Sequence, residues 1–243
     1  MRWLLTGATG LLGGYVLRQL RSESIVAWSG SQQSDVLGVP LIRADLADSA
    51  AVAAAFSAAA PDVVIHAAAV ARVDECRRDS DRARRINTEG SRHLAELAAE
   101  RGARLVYVST DLVFDGERGS YRESDSPSPL TVYGLTKADA ETAVLTFPRT
   151  AVARLSLLYG PCLTGRSSFF DRMVAALKQG QPIPLFADEW RTPLDLATAA
   201  TALVELGRSE VTGLLHIGGP ERLSRLEMGR QLAEALGVSG DSI

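Results

Sequence analysis

The sequence predicts an α/β chain built on a doubly wound parallel sheet (Rossmann), followed by a smaller α/β lobe, and three observations carry that expectation. Short apolar runs alternate with stretches of helical periodicity from residue 3 to residue 155, the rhythm of successive strand–helix–strand units. Gly7, Gly10 and Gly13 lie between the first apolar run and the first helical pattern, the order that a dinucleotide-binding turn requires. Tyr133 and Lys137 stand four residues apart, downstream of the hydroxyl pair Ser109-Thr110, and that spacing puts both side chains on one face of a helix.

The elements follow in order. Residues 3–5 read as the first strand, and Leu11, Leu12, Val16, Leu17 and Leu20 mark the apolar stripe of the helix behind it. Residues 25–28 and 40–42 read as the second and third strands, and 49–60 as a crossover helix centred on Val52 and Phe56, stopped by Pro61-Asp62. Residues 63–65 form the fourth strand. Leu94, Leu97, Ala98 and Arg101 belong to a helix that stops at Gly102, with Arg101 placed to meet its dipole. Residues 105–108 and 151–155 complete the run of strands. Between them, 111–130 is polar and contains Gly116, Gly119, Pro127 and Pro129, a loop over the carboxyl edge of the sheet, where ligands bind in open α/β folds.

Beyond Arg154 the rhythm changes. Residues 169–179 read as a helix, 182–186 as a short strand, and Ser224-x-x-Glu227 as a capping box opening a helix that ends at Gly237. The expected division is a dinucleotide-binding unit over 1–153, to which 188–210 returns, and a smaller substrate lobe over 154–187 and 211–243. No internal repeat is evident.

Composition bounds the function. A chain of 243 residues buries roughly 70 to 75 per cent of its unfolded surface. The 26 basic and 29 acidic residues give a net charge of −3, which supplies no footprint for nucleic acid or an anionic membrane. Arg72, Arg77, Arg78, Arg82, Arg84 and Arg85 are interleaved with Asp74, Glu75, Asp79 and Asp81, a mixture expected of a solvated loop and helix start. Cys76 and Cys162 lack metal-ligand spacing and fit a reducing compartment. The first residues run straight into a strand, and no stretch reaches the 18 or so apolar residues of a membrane span. A cytoplasmic protein is expected.

The residues also suggest chemistry. Glycines at 7, 10 and 13 let backbone approach a pyrophosphate, and the helix behind them offers it unpaired N–H groups. A fixed ammonium at Lys137 is expected to favour the Tyr133 phenolate and draw its pKa down from about 10, toward proton exchange near neutral pH.

Four motifs, Gly7-x-x-Gly10-x-x-Gly13, Ser109-Thr-Asp-Leu-Val-Phe-Asp-Gly116, Tyr121-x-Glu123-x-Asp125 and Tyr133-Gly-x-Thr-Lys137, resemble the extended short-chain dehydrogenase/reductase superfamily, in its dTDP-4-dehydrorhamnose reductase branch. The resemblance runs over essentially the whole chain, with Arg154-Leu-Ser-Leu-Leu-Tyr-Gly160, Trp190-Arg-Thr-Pro193 and Gly213-Leu-Leu-His-Ile-Gly-Gly219 in the branch's order. The C-terminal third is also similar to the regulatory beta subunit of methionine adenosyltransferase.

The resemblance implies an NAD(P)-dependent oxidoreductase that reduces a nucleotide-linked 4-keto-6-deoxy sugar. Thr110, Tyr133 and Lys137 would be catalytic, with Tyr133 as proton donor. Gly7, Thr9, Gly10, Leu11, Leu12 and Gly13 would hold the cofactor from the first turn. Asp45 and Leu46 would bracket its adenine, Ala67, Ala68 and Ala69 would floor it, and Ser109, Tyr133 and Lys137 would meet its nicotinamide end. Thr110, Asp111, Phe114 and Arg191 would face the substrate. Two alternatives stay open, a non-catalytic NADP-binding regulatory subunit and a nucleotide-sugar epimerase or dehydratase, although the block from Ser109 to Gly116 fits the last poorly.

Cofactor preference turns on Trp28-Ser29-Gly30-Ser31-Gln32-Gln33, which lacks the acidic residue that binds a ribose 2′-hydroxyl. Arg43 could approach a 2′-phosphate, so NADPH is favoured over NADH. His66 replaces an expected asparagine and reads as packed and neutral, and Leu112 replaces a tyrosine common beside the substrate. Asp111, Asp115, Glu123 and Asp125 match no calcium or zinc spacing. Tyr15 and Val16 occupy the place where related reductases would need an acidic magnesium ligand, so no metal is expected. Relatives usually continue beyond Gly240-Asp-Ser-Ile243, which suggests a naturally short or truncated chain, and a homodimer is possible.

Overall fold

The computed structural model describes residues 1–30, 35–165 and 167–240. Its first part runs β1 (Arg2–Thr6), α1 (Leu11–Leu20), β2 (Ser24–Ser29), β3 (Leu41–Arg43), α2 (Ser49–Ala59) and β4 (Val63–His66). Two short helices, α3 (Val73–Arg78) and α4 (Ser80–Arg84), lead through a π-helical turn at Arg85–Glu89 into α5 (Gly90–Arg101). Then come β5 (Arg104–Thr110), a 3-10 turn at Asp111–Val113, α6 (Val132–Val144), β6 (Thr150–Leu155) and β7 (Leu158–Tyr159). The remainder is α7 (Phe169–Lys178), β8 (Trp190–Arg191), β9 (Leu194–Asp195), α8 (Leu196–Arg208), β10 (Gly213–Ile217), β11 (Leu223–Ser224) and α9 (Arg225–Leu236).

Seven strands form one parallel sheet in the order β10-β6-β5-β4-β1-β2-β3. Side chains alternate across it, as the period of two in a strand demands. Trp3 and Leu5 face one way, with Ile65, Val106 and Ala153, and are covered by Leu17 and Leu20 of α1 and by Ala200 and Leu203 of α8. Leu4 faces the other way, with Val64, Leu105, Tyr107 and Val152, beneath Phe56 of α2, Leu94 of α5 and Val144 of α6. Helices on both faces explain why the strands read as continuous apolar runs.

Three expectations are corrected. Residues 213–217 were assigned to the smaller lobe, but they pair with β6 as the edge strand of the main sheet. Leu214 and Leu215 are only half-buried there, the weaker burial of an edge position. No strand forms over 182–186. Instead β8 pairs antiparallel with β11 and β7 pairs parallel with β9, in two-residue ladders too short to leave a periodic signal. The arginine-rich stretch, expected as a solvated loop and helix start, is helical from Val73 onward, its charges paired as Arg78–Asp74, Arg82–Glu75 and Arg84–Glu89. The capping box expected at Ser224 and Glu227 is present, and a second one, not anticipated, forms at Ser168 and Asp171. The α7 and α9 helices pack together through Met173, Leu177 and Ala233. No helix among the described residues is long and apolar enough to cross a membrane. The Ser31-Gln32-Gln33 segment and the final Asp241-Ser242-Ile243 lie outside the described residues.

Candidate active site

A cleft of about 610 Å³ opens at the carboxyl ends of β1, β2, β4 and β5, lined by Gly7, Thr9, Gly10, Leu11, Leu12 and Gly13 from the first turn and by Asp45, Leu46, Ala67, Ala68 and Ala69 from the others. Backbone sterics shape its floor. Gly7 has φ +73°, and a Cβ there would lie 2.7 Å from the Ala68 nitrogen. A Cβ on Gly13 would lie 2.2 Å from the Gly7 oxygen, so only glycine lets α1 begin this close to the turn. The α1 N-terminus has no side-chain cap and no acidic residue in its first turn, leaving its N–H groups and dipole available to a phosphate. These are the features of a dinucleotide cradle.

His66 is fully buried behind this floor. The Ala68 N–H donates to Thr6 Oγ1 (3.1 Å), the Thr6 hydroxyl donates to His66 Nδ1 (2.6 Å), His66 Nε2 donates to Ser91 Oγ (2.9 Å), and Ser91 donates to the Asn87 carbonyl (2.6 Å). Each group in that chain is satisfied only by a neutral imidazole. Burial, helped by the Lys137 charge, takes its pKa down to about 3, consistent with the packed histidine expected from the sequence.

Two of the three catalytic candidates, Thr110 and Tyr133, meet at the end of β5 and line the cleft, while Lys137 is buried behind them and lines neither cavity. Thr131 caps α6 by accepting from the Gly134 N–H (3.0 Å), and Thr110 caps the 3-10 turn by accepting from the Leu112 N–H (3.2 Å). A Cβ on Gly134 would fall 2.2 Å from the Leu112 oxygen. The glycine after Tyr133 therefore lets α6 press against that turn, which brings the phenol to Thr110. Tyr133, Thr110 and Ser109 all line the cleft.

Lys137 is 2% exposed, with its Nζ 4.0 Å from the centre of the Tyr107 ring. Loss of hydration lowers its pKa to about 7, with Glu141 pulling the other way. The expected lowering of the Tyr133 pKa does not occur: burial pushes the phenol up to about 12, against an opposing effect of the Thr110 hydroxyl. Desolvation governs the phenol, and Lys137 contributes no lowering that offsets it. The phenol is thus held protonated.

Lys137 carries a stability cost with a defined pH window. Its native pKa of about 7 lies below the roughly 10.4 of an unfolded lysine, so between those values the unfolded chain binds the extra proton and stability rises with pH. Replacing Lys137 by Met is expected to stabilise the protein at pH 6 by on the order of 4–5 kcal/mol, with the gain vanishing near pH 10. Urea unfolding at both pH values checks this, and an equal effect at both would contradict it.

One helical turn past Lys137, Glu141 closes a buried network. Ser109 donates to its Oε1, and Arg154 grips it through Nε (3.0 and 3.1 Å) and Nη2 (2.6 Å), both partners 3% exposed. Arg154 also reaches His216 Nε2 (3.3 Å) and lies 4.9 Å from the centre of the Phe114 ring. Phe114 stacks on Tyr121 at 4.2 Å. Asp115 accepts from Ser128 (2.6 Å) and from Tyr121, which together hold its carboxyl down at about 2.

These groups wall a second cavity of about 710 Å³, which includes Asp111, Phe114, Arg191 and His216. The two cavities share Ser156 and meet where Thr110 of one adjoins Asp111 of the other. Ser156 donates to Asp111 Oδ2 (2.9 Å), and Arg191 reaches the same oxygen at 3.3 Å and Glu189 at 3.4 Å. Arg191 thus reaches the cavity while tying β8 to the end of β5.

Sequence reasoning missed Asn87. It sits fully buried in the π-helical turn, where its side chain accepts from the Val70 N–H (2.8 Å) and donates to the Val70 carbonyl (3.0 Å) and to Thr136 (3.0 Å). It fastens the wall beside Ala69 to α6, and no local signal marks a π turn. Ser156 and His216 were missed as site residues because they join the site only through long-range contacts, with Asp111 and Arg154.

Three comparisons bear on this geometry. The RmlD substrate binding domain family model matches residues 1–243. A probable dTDP-4,6-dihydroxy-2-methyloxan-3-one 4-ketoreductase of Streptomyces antibioticus is 38% identical over 89% of this chain and 70% of its own length. Methionine adenosyltransferase 2 subunit beta of Pongo abelii is 34% identical over 98% of this chain and 72% of its own. Among solved structures, a dTDP-4-dehydrorhamnose reductase from Bacillus anthracis in complex with NADP superimposes with a TM-score of 0.89, at 26% identity, over 100% of this chain and 83% of that one.

Proposed function

The chain belongs to the RmlD substrate binding domain family, and from that premise we propose that it is an NAD(P)H-dependent reductase of a nucleotide-linked 4-keto-6-deoxy sugar. The observation that carries the reading is the meeting of the two cavities at Thr110 and Asp111, beside a protonated Tyr133. A nicotinamide bound in the glycine-floored cleft supplies hydride.

The chain's own residues do the rest. The Thr110 hydroxyl holds the carbonyl oxygen, and Tyr133 gives its proton to that oxygen as negative charge develops. Lys137, one turn along α6, is assigned the ribose hydroxyls, its ammonium carrying positive charge in the fraction that stays protonated near neutral pH. Ser109, fixed by Glu141, lines the nicotinamide side. Asp111, Phe114 and Arg191 wall the sugar's end of the larger cavity. Arg43 pairs with Ser29 in the β2–β3 register, and Ser29 lines the cleft, so we take the Arg43 guanidinium, which would suit a ribose 2′-phosphate, to favour NADPH.

The expected result is loss of NADPH absorbance when the protein meets a nucleotide-linked 4-keto-6-deoxy sugar, with a lower KM for NADPH than for NADH. Equal KM values would remove Arg43 from cofactor choice, and no consumption of either cofactor would overturn the reductase. A second reading, a subunit of a larger enzyme, draws on the likeness to methionine adenosyltransferase 2 subunit beta. Association with a partner enzyme in place of turnover would favour it.

A further inference from the structure

Four arginines line the 710 Å³ cavity. Three are committed to carboxylates: Arg118 to Asp125 (2.7 Å), Arg154 to Glu141 (2.6 Å), and Arg191 to Asp111 (3.3 Å) and Glu189 (3.4 Å). Arg222 has no carboxylate partner among the described residues. Its guanidinium lies instead over the Trp190 ring, 4.0 Å from the centroid. The placement is built by one of the two-residue ladders. Trp190 is in β8, Arg222 immediately precedes β11, and the two strands pair with Leu223 opposite Arg191 and Ser224 opposite Trp190.

Stacking uses the face of a guanidinium and leaves its N–H groups, which lie in the plane, free. Those donors form the fork that matches two oxygens of a phosphate. Arg191, already holding two carboxylates, has fewer donors to offer than the sequence suggested. The cavity also contains Glu117 and Asp188, neither with a cationic partner among the described residues, and both add negative charge that opposes an anion in the cavity.

We propose that Arg222, seated on Trp190, is the side chain that takes the diphosphate of a nucleotide-linked substrate. The inference rests on the larger cavity being the substrate site, and it gives the phosphate contact to Arg222 rather than to Arg191. It also sets the direction in which a substrate lies, with its sugar toward Thr110 and its diphosphate toward the β8–β11 ribbon.

Trp190 makes the test direct. Trp3 and Trp28 are each 1% exposed while Trp190 is 41% exposed, so a ligand at this ribbon changes Trp190 fluorescence selectively. Titrations would use UDP, dTDP, inorganic pyrophosphate and uridine, with wild type, Arg222→Ala, Arg222→Lys and Asp188→Asn, in the absence of nicotinamide cofactor.

The expected result is a fluorescence change with UDP or dTDP, none with uridine at the same concentrations, and a Kd raised roughly 10- to 100-fold in Arg222→Ala, the range of a hydrogen bond to a charged group. Arg222→Lys recovers part of the loss, and Asp188→Asn tightens binding. In turnover, the Arg222→Ala loss falls on KM rather than kcat. An unchanged Kd in Arg222→Ala, or no response to either nucleoside diphosphate in wild type, overturns the inference. If binding depends on Arg222 but no cofactor is consumed, the binding site stands and the reductase reading falls. If turnover proceeds with an unchanged KM in Arg222→Ala, the reverse holds.

Discussion

Replacing Tyr133 by Phe is expected to lower kcat by about 10²- to 10⁴-fold, the usual contribution of a positioned proton donor, while leaving cofactor affinity and folding nearly unchanged. The variant removes one oxygen from a ring that packs with Val70, Cys76 and Ala83, so the fold keeps its contacts. Specificity comes from what stays behind: Thr110 still holds the carbonyl oxygen, and the glycine floor is untouched. The loss should fall on kcat and kcat/KM alike, the mark of an interaction made in the transition state. Full turnover in Tyr133→Phe would assign the proton to another group.

Glu141→Ala is expected to cost about 3–5 kcal/mol of stability, because it leaves the Arg154 guanidinium buried without its anion. All the contacts of Glu141 are internal: Ser109 on β5, Arg154 on β6, and the helix that also carries Tyr133 and Lys137. For a chain of this size the loss corresponds to a fall in Tm of roughly 10 °C. Replacing both partners together, Glu141→Leu with Arg154→Met, should cost much less, since a buried pair exchanged for apolar groups of similar volume is often neutral. Calorimetry of the single and double variants separates the cases, and a single-variant cost below about 1 kcal/mol would show that water enters to replace the carboxylate.

The sheet was legible because its central strands are buried on both faces and therefore read as apolar runs, from Trp3 and Leu4 to Ala151 and Val152. The seventh was not, because Gly213–Ile217 is half-buried and follows a change of rhythm. The glycine turn was legible for a steric reason that acts within seven residues. Tyr133 and Lys137 announced themselves through helical spacing, but the electrostatic consequence drawn from that spacing had the wrong sign. Spacing places two groups on one face and says nothing of how much water each one keeps. Asn87 and Ser156 could not be found from local pattern, since their roles depend on Val70, Thr136 and Asp111, which only the folded chain brings to them. Arg191 and Arg222 illustrate the same limit: both are arginines near a tryptophan in sequence or register, and only the ion pairs distinguish the one already engaged from the one left open.

The most direct test of the central claim is to carry out turnover with NADPH deuterated at the transferable position and to read the product by NMR. The account predicts one deuterium on the carbon that bore the ketone, oxidised cofactor in equal amount, and near-complete loss of both in Tyr133→Phe. A product without deuterium, or cofactor bound and returned unoxidised, would contradict it.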